Sequence, residues 1–339
     1  VDAPEGTASQ LLDTLRSETG RADLAFAVPA TQLSGGFYAE MLRFRLADPP
    51  AGLDGDLVAR IVPSPAAGAW EATIQRAVAD QGFPTPAVRL TAPESSPLGR
   101  YLIVMDAVDG RPPMEGLSIG TIATQLPGLV RRLPDQLARI AADLHALDPG
   151  PLAERLASLD APFPLTTAGF VAEQARLAAS LDRPDLAAAG ERLLETEPAS
   201  SQRVIAHGDL HPFNLLVTAE GPVLIDWTVA RVAHPGFTVG FTDLMLANPP
   251  IALPGPGGAL LRAIGRNMAR RFLRTYRAHT VGTPGEVTDD QLDWHRRVHA
   301  LRILVELAGW EAGGQPPPAG HPWLLLEPVA ARLLGLPIA

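Results

Sequence analysis

Asp209, Asn214 and Asp226 are the residues whose types and spacing could do chemistry. They lie in Val204-Ile-Ala-His-Gly-Asp-Leu-His-Pro-Phe-Asn-Leu-Leu-Val217 and, after a short turn, in Pro222-Val-Leu-Ile-Asp-Trp227. The apolar runs around them are too short for helices and rich in Val, Ile and Leu, the composition of strands. Antiparallel pairing of Leu215 to Val217 with Val223 to Ile225 sets 217 opposite 223, 215 opposite 225 and 214 opposite 226. Directly opposed residues have Cβ atoms about 4.5–5.5 Å apart, so the open end of such a hairpin holds an amide oxygen beside a carboxylate. Oxygen donors of this kind suit Mg²⁺, a hard cation that keeps several waters and is completed by substrate phosphates. Asp209 precedes Asn214 by five residues, on the loop entering the hairpin, where it could orient an incoming hydroxyl.

The elements that must position these residues fall into a strand-rich part and a helical part. Ala8 to Ser17 reads as a helix with Leu11, Leu12 and Leu15 on one side. Strand text starts at Phe26, is interrupted by Leu33-Ser-Gly-Gly-Phe37, and resumes over Tyr38 to Leu46, where Leu42, Phe44 and Leu46 alternate with Arg43 and Arg45. Leu57 to Val62 is apolar on both alternating faces except at Arg60. A charge in such a strand needs a partner. The helix expected over Ala69 to Asp80 offers Glu71, which shares a face with Ile74 and Val78 at i, i+3 and i+7. Val88 to Leu90 and Tyr101 to Val108 are the next strands, and Arg111-Pro-Pro113 stops the second. Beyond it, helices are expected over Leu133 to Leu147, Phe170 to Leu181, Leu186 to Glu197, Leu260 to His279 and Gln291 to Trp310.

Asp-x-x-x-x-Asn followed by Asp at the end of the next strand is the spacing of the catalytic and metal loops of protein kinases. His207-Gly-Asp209 stands where those enzymes carry His-Arg-Asp, and Ile225-Asp-Trp227 where they carry Asp-Phe-Gly. This variant resembles the aminoglycoside phosphotransferase and choline-kinase-like family of small-molecule kinases. Ile225-Asp-Trp-Thr-Val-Ala-Arg-Val232 also resembles macrolide kinases, which commonly carry His at the position of Asn214.

The resemblance implies an α+β, two-lobed protein-kinase-like fold. A small antiparallel-sheet N-lobe with one inward helix would span residues 1–105, a hinge 106–113, and a larger, mainly helical C-lobe 114–339. It implies ATP or GTP as donor, Mg²⁺, and transfer of the γ-phosphate to a hydroxyl of a small-molecule acceptor. Asp209 would accept or orient the hydroxyl proton, Asn214 and Asp226 would hold the metal, and Arg60, set by Glu71, would bind the α/β-phosphates in place of the usual lysine. Ser34, Gly35 and Gly36 read either as a plain turn or as the loop over the phosphates. Met105 reads either as core or as the inner end of an adenine pocket completed by the backbone of Asp106 to Val108. Glu306, Trp310 and Glu311 are candidates for acceptor contact. After Trp227 the family usually shows Gly-Asp-Pro, two residues, then Asp. Ala233-His-Pro235 and Thr238 fall in those places here, with Asp243 the nearby acid that could substitute.

Composition narrows the alternatives. A chain of 339 residues with 46% hydrophobic and 19% charged residues has room for one two-lobed domain or two ordinary ones with a sizeable core. It contains no cysteine and no lysine, which excludes disulfides, thiolate zinc sites and any lysine-dependent mechanism. The net charge of -9 argues against general nucleic-acid binding. No apolar run reaches the roughly 18 residues of a membrane span, and the acidic N-terminus is unlike a signal peptide, so a cytoplasmic location is the expectation. From Gly255 onward ten arginines face seven acids, an excess that predicts a neutral, monocationic or anionic acceptor over a polyamine sugar. Two other readings stay open. One is a nucleotide-binding protein that has lost phosphotransfer, given Arg60 and the altered segment at 233–238. The other is a metallohydrolase using His207, Asp209 and His211, against which Pro212 counts as a strand breaker.

Overall fold

The computed structural model describes residues 5–33, 39–114, 122–160, 163–252, 255–314, 317 and 321–337. Ser34, Gly35 and Gly36 lie outside the described residues. The chain divides into two compact units, one made of residues 1–111, 154–162 and 216–229, the other of 112–153, 163–215 and 230–339.

The first unit is built on a five-stranded antiparallel sheet. Helix α1 (Glu5–Thr19) is followed by β1 (Ala25–Gln32), β2 (Glu40–Ala47), β3 (Asp56–Val62), α2 (Pro65–Asp80), β4 (Val88–Ala92) and β5 (Tyr101–Asp106), with sheet order β1-β2-β3-β5-β4. The two faces of β3 separate by the period of two. Leu57, Ala59 and Ile61 join a core with Leu11 and Leu15 of α1, while Val58 and Val62 pack with Ala72 of α2, Ile103 and Met105. Arg60 therefore emerges on the α2 side, between Met41 of β2 and Ile103 of β5 in the register. Helix α2 begins earlier than its apolar period suggests, because Ser64 accepts from the Ala67 amide as N-cap and Pro65 starts the helix without needing a donor. Strand β5 ends at Asp106, two residues short of the expected Val108.

The second unit is mainly helical. It holds α3 (Ile122–His145), part of α4 (Gly150–Ala157), α5 (Thr167–Ser180), α6 (Pro184–Glu195), β6 (Val204–Ala206), a 3₁₀ turn at Pro212–Asn214, β9 (Arg231–Ala233), α7 (Gly236–Ala247), α8 (Gly255–Thr280), α9 (Asp289–Ala312) and α10 (Pro322–Leu334); the pair β7 (Leu215–Val217) and β8 (Pro222–Leu224) intervenes in the chain. Helix α7 packs on α8 and α9, α3 on α8, α5 on α6, and α10 on α9. The sequence reading has no helix at 236–247. Gly236 to Leu246 are all buried, so α7 has no polar face and no amphipathic period to show. Its glycines admit α9 closely: a Cβ on Gly236 would stand 2.4 Å from His295 Nδ1, and one on Gly240 would stand 2.8 Å from His295 Cβ. No helix among the described residues is long and apolar enough to cross a membrane.

Among the described residues of the second unit six histidines are buried: His145, His207, His234, His295, His299 and His321. His145 meets the Tyr276 hydroxyl at 2.7 Å, His234 stacks on His295 at 4.8 Å, and His299 Nε2 donates to the Phe237 carbonyl at 2.6 Å. Burial pushes His145 and His299 down to about 3 and His234 to about 4, and holds His295 well below its usual value. Each takes up a proton more readily once unfolded. Their stabilisation is therefore complete above the unfolded value of about 6.5 and is lost as pH falls from there toward about 3–4, by about 2 kcal/mol at pH 5 for each of His145, His234 and His299. Glu71, raised to about 7 by burial, acts the opposite way with a single proton. Denaturant titrations at pH 7.5 and pH 5 are expected to show a steep loss of stability at the lower pH; equal midpoints would refute it.

Candidate functional site

The loop leaving β6 is fixed by α7 and α9. Strand β6 pairs with β9, Val204 opposite Ala233 and Ala206 opposite Arg231. Gly208 then adopts φ 72°, a left-handed conformation that explains glycine where protein kinases carry arginine. Thr238, fully buried, accepts from the His207 amide at 2.9 Å and the Gly208 amide at 3.5 Å, and Thr242 Oγ1 donates to the Leu210 carbonyl at 2.8 Å. A neutral hydroxyl thus anchors the loop where relatives of the motif carry an acid. Asp243 does not substitute: it is buried and paired with Arg296, whose Nε lies 2.7 Å away.

Asp209 receives a donor on each carboxylate oxygen. Arg302 Nη1 is 3.1 Å from Oδ1, Asn214 Nδ2 is 3.0 Å from Oδ2, and His211 Nε2 is 3.5 Å from Oδ2. Burial opposes the charge, but Arg302, His211 and His207 outweigh it and hold the carboxyl well below the usual carboxylate range. Arg302 is the residue that sequence reasoning missed. It is 7% exposed and also donates to the Gly208 carbonyl at 3.3 Å and to Glu306 Oε1 at 2.8 Å. Its signal was present in the helix text Ala300-Leu-Arg-Ile-Leu-Val-Glu-Leu307, a charge in an apolar run with an acid at i+4. Glu306 Oε2 accepts from Trp323 Nε1 at 2.5 Å, Trp310 packs edge-on to His321 at 4.5 Å, and Glu311 is exposed on the last turn of α9.

In the first unit, Arg60 and Glu71 meet. Arg60 Nε is 2.9 Å from Glu71 Oε1, and the residues are 8% and 2% exposed. The other end of the guanidinium reaches Thr228 Oγ1 at 3.0 Å and Asp226 Oδ1 at 3.5 Å. Burial pushes the Glu71 carboxyl up to about 7 against the pull of Arg60. Asp226 sits at φ 66°, uncommon for a residue with a side chain and a pointer to a functional position. Trp227 secures the segment, its Nε1 donating to Thr85 at 2.9 Å and its ring edge-on to Phe83 at 5.9 Å. Met105 is buried and meets Gln75 Nε2 at 3.5 Å through its sulfur. The Asp106 amide is engaged with Ala87, the Asp106 carboxylate holds Arg89 through two 2.7 Å bonds, and Val108 is half-buried just past β5.

Strands β7 and β8 form the expected hairpin, with a different register. The Thr218 amide donates to the Gly221 carbonyl at 3.0 Å, so these residues flank a two-residue loop and the strand bounds set 217 opposite 222, not 223. Neither Asn214, in the 3₁₀ turn, nor Asp226, two residues past β8, belongs to the ladder. Each residue by itself still offers an oxygen of the kind that suits a hard cation. Asn214 uses Nδ2 on Asp209, leaving Oδ1; Arg60 and Thr228 meet Asp226 at Oδ1, leaving Oδ2. Among the described residues no three His, Cys, Asp or Glu side chains form a metal-holding group. The metallohydrolase trio fails on the same ground. His207 is fully buried with Nδ1 accepting from the Asp209 amide, and His211 Nδ1 accepts from the Phe213 amide.

Comparison with known proteins agrees with this architecture. The sequence profile of the phosphotransferase enzyme family (APH) matches residues 30–271. A putative aminoglycoside phosphotransferase from Ralstonia eutropha JMP134 superposes with a TM-score of 0.66 at 18% identity, over 96% of this chain and 97% of that one. An aminoglycoside-3'-phosphotransferase of type VIII does so with a TM-score of 0.55 at 26% identity, over 86% and 99%. Spectinomycin phosphotransferase, solved with ADP and spectinomycin, gives 0.54 at 14% identity, over 97% and 97%. No curated protein matches the chain. The fold is kinase-like, a five-stranded antiparallel sheet unit and a helical unit, and the chain belongs to the phosphotransferase enzyme family.

Proposed function

We propose that this chain is an ATP- and Mg²⁺-dependent kinase that phosphorylates a hydroxyl of a small molecule. The observation that carries the reading is Asp209, a carboxylate kept ionised with Arg302 on one oxygen and Asn214 on the other. A base held this far down is a weak one. It orients the acceptor hydroxyl and takes its proton late, as suits the loose transition state of phosphoryl transfer. The acceptor oxygen bonds to the γ-phosphorus, the bond from that phosphorus to the β–γ bridging oxygen breaks, ADP leaves, and the hydroxyl proton passes to Asp209 and then to water. Arg60, held by Glu71, would contact the α/β-phosphates, with the backbone at Asp106 to Val108 on the adenine side. Asn214 and Asp226 would hold Mg²⁺, which when bound neutralises charge on the phosphates. GTP is the other candidate donor.

The test is ATP-dependent phosphate incorporation across hydroxylated metabolites and antibiotics, with and without Mg²⁺. Asp226→Ala is expected to weaken Mg·ATP binding by about 10–100-fold or more, the range for disturbing even an outer-sphere metal partner, and to lower turnover with it. Unchanged Mg·ATP affinity and turnover in that variant would refute the metal assignment. The Arg60 contact to Asp226 favours a second reading, a nucleotide-binding protein without transfer. Mg·ATP binding with no incorporation into any acceptor would select it.

A further inference from the structure

We propose that the acceptor is an uncharged polyol with an apolar ring face, a glycoside rather than a polyamine, and that Arg302 sets this preference; the proposal rests on the kinase reading above. Three observations in the second unit converge on it. All four carboxylate oxygens of Asp209 and Glu306 already have donors: Arg302 Nη1 and Asn214 Nδ2 on Asp209, Arg302 Nε and Trp323 Nε1 on Glu306. An incoming ammonium could use the same spare lone pairs as a hydroxyl, but it would bring a second cation beside the permanent guanidinium of Arg302, whereas a hydroxyl adds its hydrogen bond with no charge to place there.

The second observation is a chain of rings beside the base. Phe213 contacts His211 at 6.1 Å, His211 contacts Phe241 at 6.1 Å, and Phe241 contacts Trp323 at 6.0 Å. Trp323 contacts His321 at 5.6 Å, and His321 contacts Trp310 at 4.5 Å. His211 also lies 3.5 Å from Asp209. The middle of the chain, Phe241, Trp323 and His321, is buried, so the rings an acceptor can reach are Phe213, 51% exposed, and the half-buried His211 and Trp310. Rings with a few fixed polar groups are the lining of sites for small ligands with apolar faces.

Those rings would also attract a cation through their faces. That possibility is already taken up inside the protein, because the Arg302 guanidinium carbon lies 5.5 Å from the centroids of both Phe241 and Trp323. Arg302 therefore occupies the carboxylates and the inner rings together, leaving hydrogen bonding and ring contact for the acceptor.

Tryptophan fluorescence titration and ATP-dependent phosphate incorporation, with phenyl β-maltoside and kanamycin as probes, test the proposal. The wild-type protein is expected to bind the maltoside at least about tenfold more tightly than kanamycin, a difference of about 1.4 kcal/mol. Arg302→Met, which frees one oxygen on each carboxylate and removes the cation between them, should shift the ratio toward kanamycin by about tenfold or more. Glu306→Gln, which removes one carboxylate, should shift it further toward the maltoside and keeps the test decisive if Arg302→Met does not fold. Tighter binding of kanamycin by the wild type, binding of neither probe, or a Glu306→Gln shift toward kanamycin would overturn the proposal. Preferred binding of the maltoside without incorporation leaves it standing and counts against the kinase reading. Preferred incorporation into kanamycin does the reverse.

Discussion

Asp209→Asn is expected to lower kcat by about 10²–10⁴-fold, the usual contribution of a positioned acid or base, while leaving the KM for ATP close to that of the parent. The asparagine keeps one oxygen, enough for Arg302 but not also for Asn214 on the other side, and cannot take the hydroxyl proton. Its loss is therefore expected mainly in the chemical step, because of the residues proposed for Mg·ATP only Asn214 adjoins Asp209, while Arg60, Glu71 and Asp226 belong to the first unit. Arg302 retains Glu306 at 2.8 Å and the Gly208 carbonyl at 3.3 Å, so the loop should stay in place. Steady-state kinetics with any acceptor found by incorporation, together with an unfolding curve for the variant, would check both halves. A kcat within a fewfold of the parent would remove Asp209 from the mechanism.

Glu71→Ala is expected to cost about 3–5 kcal/mol of folding stability, the range for stripping one partner from a buried ion pair. Arg60 would remain at 8% exposure with only Thr228 at 3.0 Å and Asp226 at 3.5 Å to meet its charge. The guanidinium should swing further toward Asp226, so ATP affinity should fall along with stability. Glu71→Gln should be milder, because burial already raises the carboxyl to about 7 and the amide oxygen still accepts from Arg60. Denaturant melts of the parent and both variants at pH 7.5, paired with nucleotide titrations, would decide. Equal midpoints for the parent and Glu71→Ala would mean that the pair contributes nothing to the fold.

Much of this was legible before any coordinates, for local physical reasons. The period of two along Leu57 to Val62 isolates Arg60 as a buried charge, and the helical spacing of Glu71, Ile74 and Val78 turns its partner inward. Strand and helix adjoin in sequence, so periodicity alone brings the two residues together at 2.9 Å. Asp209, Asn214 and Asp226 stand out because polar residues interrupt apolar runs at fixed intervals. The hairpin was also readable, but its register was not, since the Thr218 bond to Gly221 closes the turn one residue earlier than strand composition alone suggests.

Tertiary structure alone decided what surrounds the base. Arg302 reaches Asp209 across 93 residues, and Thr238 reaches the His207 amide across 31. Periodicity reports which face of an element is buried, not which distant element covers it, so Arg302 could be recognised in sequence as a buried charge but not assigned to Asp209. Helix α7, buried on every side, lacked even that signal, and with it went Thr238 and the two glycines that let α9 approach. The same limit separates the two views of the acceptor. Sequence counts ten arginines against seven acids from Gly255 onward, a sum over whole helices. Folding selects one of those arginines and seats it between Asp209 and Glu306, and close-range charge, far more than the sum, decides what a buried carboxylate can bind.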